Sequence, residues 1–235
     1  MKQAIIIVGG YNSLWPAYLG LARHLEDLTS LQAVGVPIMP WHWWSSRQAE
    51  DATNILQKLK ETVFWAARKL QAEQFILVGH SAGGVLARLF LCDEPVWGQV
   101  YAGVEHVRAV ITLGSPHCGA RGTETGWFVT DQANRLAPGT PYDSVLYRAV
   151  AGRFVRGHQG GNYRERRAFR LYEFFGGGGD TWGDGMVPVG CAGLDGVDTT
   201  ILPGVAHSRK LGRGWYGGSR DIIRRWWPLE LNDGG

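Results

Sequence analysis

Residues 74–91 read QFILVGHSAGGVLARLFL, and their order decides the fold. Gln74 to Val78 is an apolar run of strand length, and the stretch after Ala82 places apolar residues at helical spacing. Between them Gly79-His80-Ser81-Ala82-Gly83 matches G-x-S-x-G. The bare pattern occurs by chance in many sequences, but a strand before it and a helix after it are the context it requires. A serine on so sharp a turn occupies strained backbone, with strand and helix pressing on the residues two before and two after, where Gly79 and Gly83 supply room. The turn lifts the Ser81 hydroxyl above the sheet edge and leaves the Ala82 N–H at a helix start, aimed at a developing oxyanion.

Working outward, Ala4 to Val8 (AIIIV) is a β-branched run closed by Gly9-Gly10, as expected of a strand buried on both faces. Pro16 fits a first helical turn, with Leu19, Ala22, Leu25 and Leu28 along one face. Ala33 to Ile38 predicts a second strand, Gln48 to Leu70 a helix, and Val107 to Leu113 a fourth strand ending in GSPHCG. Residues 114–168 are polar and rich in Gly, Pro and Arg. They are expected to form a lid or cap-like insertion with short helices around Gln132 to Leu136 and Tyr142 to Val150. Phe169 to Phe175 reads as a sixth strand, Thr199 to Leu202 as a short strand, and Ser219 to Trp227 as a last helix. The alternation predicts one α/β domain over 1–235, with a mostly parallel central sheet, helices on both faces and ligands at the carboxyl ends of the strands.

A serine hydroxyl needs a histidine to take its proton, and the histidine needs a carboxylate to hold its tautomer. Of seven histidines, His24 falls in a helix, His42 in a Trp-rich loop, His106 before a strand, His117 in GSPHCG and His158 in the lid-like stretch. Only His207 lies in a loop after the last strand, where the order Ser…Asp…His puts the base. For the acid, GGGGDTWGDGMVPV offers Asp180 and Asp184. Asp184 is preferred because Asp-Gly-x-Val-Pro joins a carboxylate to a permissive turn and an extended return, with Asp180 as the fallback. The loop after the first strand, Val8-Gly9-Gly10-Tyr11-Asn12, can present the N–H of Tyr11 or of Gly10 opposite Ala82, though the glycines equally suit a plain tight turn.

Composition excludes several classes. The chain is 45% hydrophobic and 19% charged, as a folded protein is, and surface scaling lets 235 residues bury roughly 70% of their surface without disulfides or metals. Its net charge of +3 is no argument for nucleic acid. Cys92, Cys118 and Cys191 are odd in number and show no C-x-x-C spacing, so neither a disulfide framework nor a metal site is expected. The run Ala4 to Val8 is too short for a signal-peptide core or a membrane span, so a cytoplasmic protein is expected.

Taken together, VGGYN, GHSAGG, TLGSPHCG, GDGMVP and GVAHS resemble a lipase-type member of the α/β-hydrolase superfamily over nearly the whole chain. TLGSPHCG is similar to the segment after the nucleophile helix in lipid hydrolases. GHSAGGVLAR, WGDGMVP and LGRGWYG more loosely resemble uncharacterised hydrolases of cyanobacteria and plastids. The resemblance implies Ser81 as nucleophile, Asp184 as acid, His207 as base, Tyr11 with Ala82 as oxyanion donors, an acyl-enzyme and no cofactor. The chain departs from it at Gly9-Gly10, where many lipases carry His-Gly.

The expected function is therefore hydrolysis of a carboxylic ester with an apolar part, a lipid above all. A thioesterase or acyltransferase with the same triad, or a non-catalytic lipid- or protein-binding protein of this fold, is the alternative. Trp41 and Trp44 after the second strand, with Trp127 and Phe128 in the lid-like stretch, are expected to line an apolar substrate site, against the plainer reading that they pack over the core. Ile222 to Trp227 and Arg209 to Tyr216 interleave cations with aromatics. Docking on an anionic membrane surface is their secondary reading, behind a last helix packed against the sheet with its arginines outward.

Overall fold

The computed structural model describes residues 1–49, 51–118, 128–176 and 178–232, the side chains of 45–49 excepted. A six-stranded sheet runs β2-β1-β3-β4-β5-β8, made of β1 (Gln3–Val8), β2 (Gln32–Gly35), β3 (Gln74–His80), β4 (Val107–Leu113), β5 (Leu146–Arg153) and β8 (Thr199–Pro203). All five pairings are parallel. A separate antiparallel pair joins β6 (Val155–Arg156) to β7 (Trp182–Gly183).

Strand alternation divides the core. On β1, Ala4, Ile6 and Val8 face one side together with Phe75 and Leu77 of β3. Against them pack α3 (Thr53–Leu70), α4 (Ala82–Leu91) and α5 (Phe128–Leu136). Ile5, Ile7, Ile76 and Val78 face the other side, under α1 (Leu19–Thr29) and α8 (Arg220–Arg224). Because both faces are covered, the central strands carry continuous apolar runs rather than alternating ones. Among the described residues no helix is long and apolar enough to cross a membrane.

Three local expectations are corrected. Leu146–Arg153 is not helical and not part of a lid, but a sheet strand between β4 and β8. Its Leu, Arg and Ala favour helix locally, and the ladders on both sides override that preference. The stretch Phe169 to Phe175 lies almost wholly in α6 (Tyr163–Phe174). Asn162 starts this helix with a capping box, accepting from the N–H groups of Arg164 and Glu165 while the Glu165 carboxylate accepts from Asn162 N–H. Trp41 to Trp44 stand in α2 (Pro40–Ala49) rather than in a loop.

Candidate active site

Ser81 joins β3 to α4 with φ 54° and ψ −127°, a conformation that a non-glycine residue holds only when its surroundings impose it. The surroundings are close-packed backbone. A side chain at Gly83 would overlap the Val8 carbonyl, and one at Gly79 would overlap Gly84. At Gly10 a Cβ would lie 2.8 Å from that of Ser81, so the loop after β1 runs directly beside the nucleophile candidate. Ser81 N–H is anchored on Leu113 O at 2.9 Å, at the end of β4. The Ala82 N–H opens α4 and so has no acceptor within the helix.

Asp184 and His207, chosen from the sequence, meet: His207 Nδ1 lies 2.8 Å from Asp184 Oδ2, and both residues are buried. The carboxylate accepts four hydrogen bonds. Oδ2 takes His207 Nδ1–H and the Tyr216 hydroxyl at 2.9 Å, while Oδ1 takes the N–H groups of Met186 and Val187 at 2.9 and 2.8 Å. Burial alone would push Asp184 upward, but His207 and these amides together hold it below the ordinary carboxylate value. Room for the Asp184 carboxylate is made at the ends of β4 and β5. A side chain at Gly114 would come within 2.5 Å of Asp184 Oδ2, and one at Gly152 within 2.8 Å of its Cβ. Asp180, the fallback, lies elsewhere, paired with Arg156 at 2.8 Å on the exposed surface.

Three residues that sequence reasoning passed over complete the frame: His80, Tyr18 and Tyr216. His80 is buried between the Ser81 turn and His207, its ring 4.7 Å from that of His207. Its Nε2 lies 2.8 Å from the His207 carbonyl, which can only accept, so Nε2 carries the proton. Burial, with His207 alongside, pushes His80 down to about 3, so the ring is neutral and Nδ1 is an acceptor. The Tyr18 hydroxyl must then donate to Nδ1 (2.9 Å) and accept from Gly10 N–H (2.9 Å). This chain of hydrogen bonds corrects one expectation: Gly10 N–H already donates to the Tyr18 hydroxyl and so is not a free oxyanion donor. Tyr216 acts similarly behind Asp184, accepting from Gly152 N–H at 2.7 Å while donating to the carboxylate. Only the position before Ser81 hinted at His80, and nothing local marked Tyr18 or Tyr216.

Another histidine, His117, is absorbed by packing. Arg88, buried in α4, donates to His117 Nδ1 (3.1 Å), Asn134 Oδ1 (3.2 Å) and Ala137 O (2.6 Å). His117 Nε2–H donates to Thr112 Oγ1 at 3.1 Å. Burial and then Arg88 drive His117 well below its ordinary value. The network ties the GSPHCG segment to α4 and α5.

The aromatic expectations divide. Trp41 and Trp44 are 54% and 58% exposed on α2, and between them Trp43 is buried with its ring edge-on to Tyr11 at 5.4 Å. Phe128 is half-buried and packs toward Trp97 and the core under α4, in keeping with the plainer reading. Trp127 lies outside the described residues. Trp215, Tyr216, Trp226 and Trp227 are buried against the sheet, while Arg224 and Arg225 face out. Among the described residues no group of three or more His, Cys, Asp or Glu is arranged to hold a metal ion.

The family described as PGAP1-like alpha/beta domain matches residues 46–134, the part holding β3, the Ser81 turn, α4 and β4. No curated protein matches the chain in sequence. Among solved structures, phospholipase PlaB from Legionella pneumophila superposes with TM-score 0.55 at 14% identity, over 91% of this chain and 55% of PlaB. This chain therefore spans little more than half of PlaB's length. The product of the lin2722 gene of Listeria innocua gives 0.52 at 13% identity, covering 98% and 94% of the two chains. The NocB thioesterase domain, in covalent complex with a fluorophosphonate nocardicin G analogue, gives 0.51 at 17% identity, covering 100% and 96%. With its parallel sheet and its Ser81 turn between β3 and α4, the chain has the α/β-hydrolase fold.

Proposed function

We propose that the protein is a serine hydrolase cleaving carboxylic esters with an apolar acyl or alcohol part, a lipid above all. Ser81 is the nucleophile, His207 the general base and Asp184 the acid that orients it. The observation that carries this reading is the buried Asp184–His207 pair at 2.8 Å, tied through His80 to the strained turn that holds Ser81. With Nδ1–H held by Asp184, neutral His207 keeps its lone pair on Nε2, the form able to take the serine proton. Ser81 Oγ attacks the carbonyl carbon as His207 takes that proton. The negative charge that develops on the carbonyl oxygen faces the Ala82 N–H at the positive end of α4, with Tyr11 N–H opposite. Collapse expels the alcohol, which receives the proton from His207, and water then releases the acyl group by the same steps.

Apolar specificity is supported by Tyr11, Trp41 and Trp44, exposed aromatics on the loop beside Ser81 and on the adjacent α2. The likeness to a phospholipase accords with a lipid ester. The full-length likeness to a thioesterase domain favours a thioester as the second reading.

The test is hydrolysis of p-nitrophenyl esters from acetate to palmitate by wild type and Ser81→Ala, with fluorophosphonate labelling in parallel. Ser81-dependent turnover that rises toward medium or long chains is expected. A folded wild type that neither turns over any ester or thioester nor takes up the label would mean a binding protein of this fold.

A further inference from the structure

The two cysteines outside the core of α4 come together although 73 residues separate them in sequence. Cys118 is the fifth residue of the GSPHCG segment after β4, and Cys191 lies in α7 (Val189–Ala192). Cys191 Sγ accepts from Cys118 N–H at 3.2 Å and lies 3.7 Å from the Cys118 carbonyl. The backbone is pinned at the same place, where His117 N–H donates to Cys191 O at 2.8 Å. Each sulfur thus lies against the other cysteine's segment, Cys191 Sγ on the Cys118 main chain and Cys118 Sγ 3.8 Å from Gly190 O, the proximity that a disulfide between them needs. Both sulfurs belong to a small apolar cluster with Ala151, Phe175, Met186 and Val187. Met186 and Val187 are the residues whose N–H groups hold Asp184 Oδ1.

We infer that Cys118 and Cys191 are a redox-active pair that closes to a disulfide under a peroxide, cross-linking the GSPHCG segment to the backbone that carries Asp184. The inference rests on the packing alone and stands whether or not the protein is a hydrolase. Cys118 is the more exposed of the two, whereas a hydrogen bond to the Cys118 thiol and burial push Cys191 upward. Cys118 therefore reacts first. Its sulfur attacks one peroxide oxygen, the O–O bond breaks, and the thiol proton leaves with the departing hydroxide as water. Cys191 Sγ then attacks the sulfenic sulfur, the S–O bond breaks, and the second hydroxide leaves with the Cys191 proton as water. Two thiols are oxidised by two electrons, and one hydrogen peroxide is reduced to two waters. Cys92, fully buried in the other core layer, takes no part.

The experiment is titration of the whole protein with hydrogen peroxide, followed by denaturation, alkylation and mass spectrometry. Loss of two hydrogens is expected, with alkylatable thiols falling from three to one and a tryptic species linking residues 109–121 to 171–209. Dithiothreitol reverses the change, and the cross-linked form unfolds at higher urea than the reduced one. Cys118→Ala, at the more exposed position, keeps its fold and its two remaining thiols, and Cys92→Ala forms the cross-link as wild type does. Three thiols persisting at peroxide that fully oxidises glutathione, addition of oxygen at Cys118 without a cross-link, or a cross-link that includes Cys92 would each overturn the inference.

Discussion

Replacing Asp184 by Asn changes almost no volume and tests the electrostatics of the site directly. The side-chain oxygen is held in place by the N–H groups of Met186 and Val187, so the new NH₂ occupies the Oδ2 position. There it meets two donors, His207 Nδ1–H and the Tyr216 hydroxyl. Tyr216 cannot turn both functions away, because its oxygen already accepts from Gly152 N–H. His207 relieves the clash by moving its proton from Nδ1 to Nε2, which leaves it unable to accept the serine proton. Loss of the correct tautomer lowers kcat by about 10⁴-fold in a serine protease triad, and a loss of that order is expected here. Two hydrogen bonds to a charged acceptor also disappear, at about 1.5 kcal/mol each, less what is regained by no longer burying a charge. Unfolding free energy at pH 7 should therefore drop by at most about 3 kcal/mol. Steady-state hydrolysis of the best p-nitrophenyl ester and urea unfolding, each beside the exposed control Asp180→Asn, read the two effects separately. A folded Asp184→Asn within tenfold of wild-type activity would refute the tautomer argument.

Further outcomes follow from the same frame. Tyr18→Phe strands Gly10 N–H and His80 Nδ1, so it should cost about 2–4 kcal/mol in urea unfolding and lower kcat/KM at least tenfold; an unchanged kcat/KM would separate Tyr18 from the site. Gly83→Ala drives a methyl into the Val8 carbonyl and should cost about 3 kcal/mol or fail to fold, whereas a stable, active variant would show that β1 and α4 can part. Acid should destabilise the protein early. His80 titrates near 6.5 unfolded and about 3 folded, so its contribution is complete above pH 6.5 and shrinks as pH falls toward 3, because only the unfolded chain takes up the proton. His117 acts in the same direction, and Asp184 adds its own loss at lower pH as its carboxylate protonates. A urea midpoint that stays constant from pH 7 to pH 4.5 would contradict this.

The residues that were legible in the sequence carry their information locally. Gln74 to Leu91 announces strand, turn and helix because each is set by neighbours in the chain, and the glycines around Ser81 are required by backbone only a few residues away or by the strand beside it. Chain order and turn chemistry single out His207 and Asp184, and the structure pairs the two. Where local preference and tertiary demand conflict, the sequence misled. Leu146–Arg153 looks helical but is held extended by β4 and β8, and the aromatic run of α6 looks like a strand but follows a capping box.

By itself, then, the chain determined that a parallel sheet would present Ser81 at a strand end, with Asp184 and His207 arriving on later loops. Only the tertiary structure decided how those groups are held. The contacts of Tyr18 with His80, His80 with His207, Tyr216 with Asp184 and Cys118 with Cys191 join residues 62, 127, 32 and 73 apart. No local pattern encodes such pairs, because each partner's conformation is satisfied by its own element, and their meeting depends on strand order and on which helix covers which face. Burial then turns those meetings into chemistry: in low dielectric a neutral His80 and an ionised Asp184 are each stable only with the particular donors and acceptors that the fold brings to them.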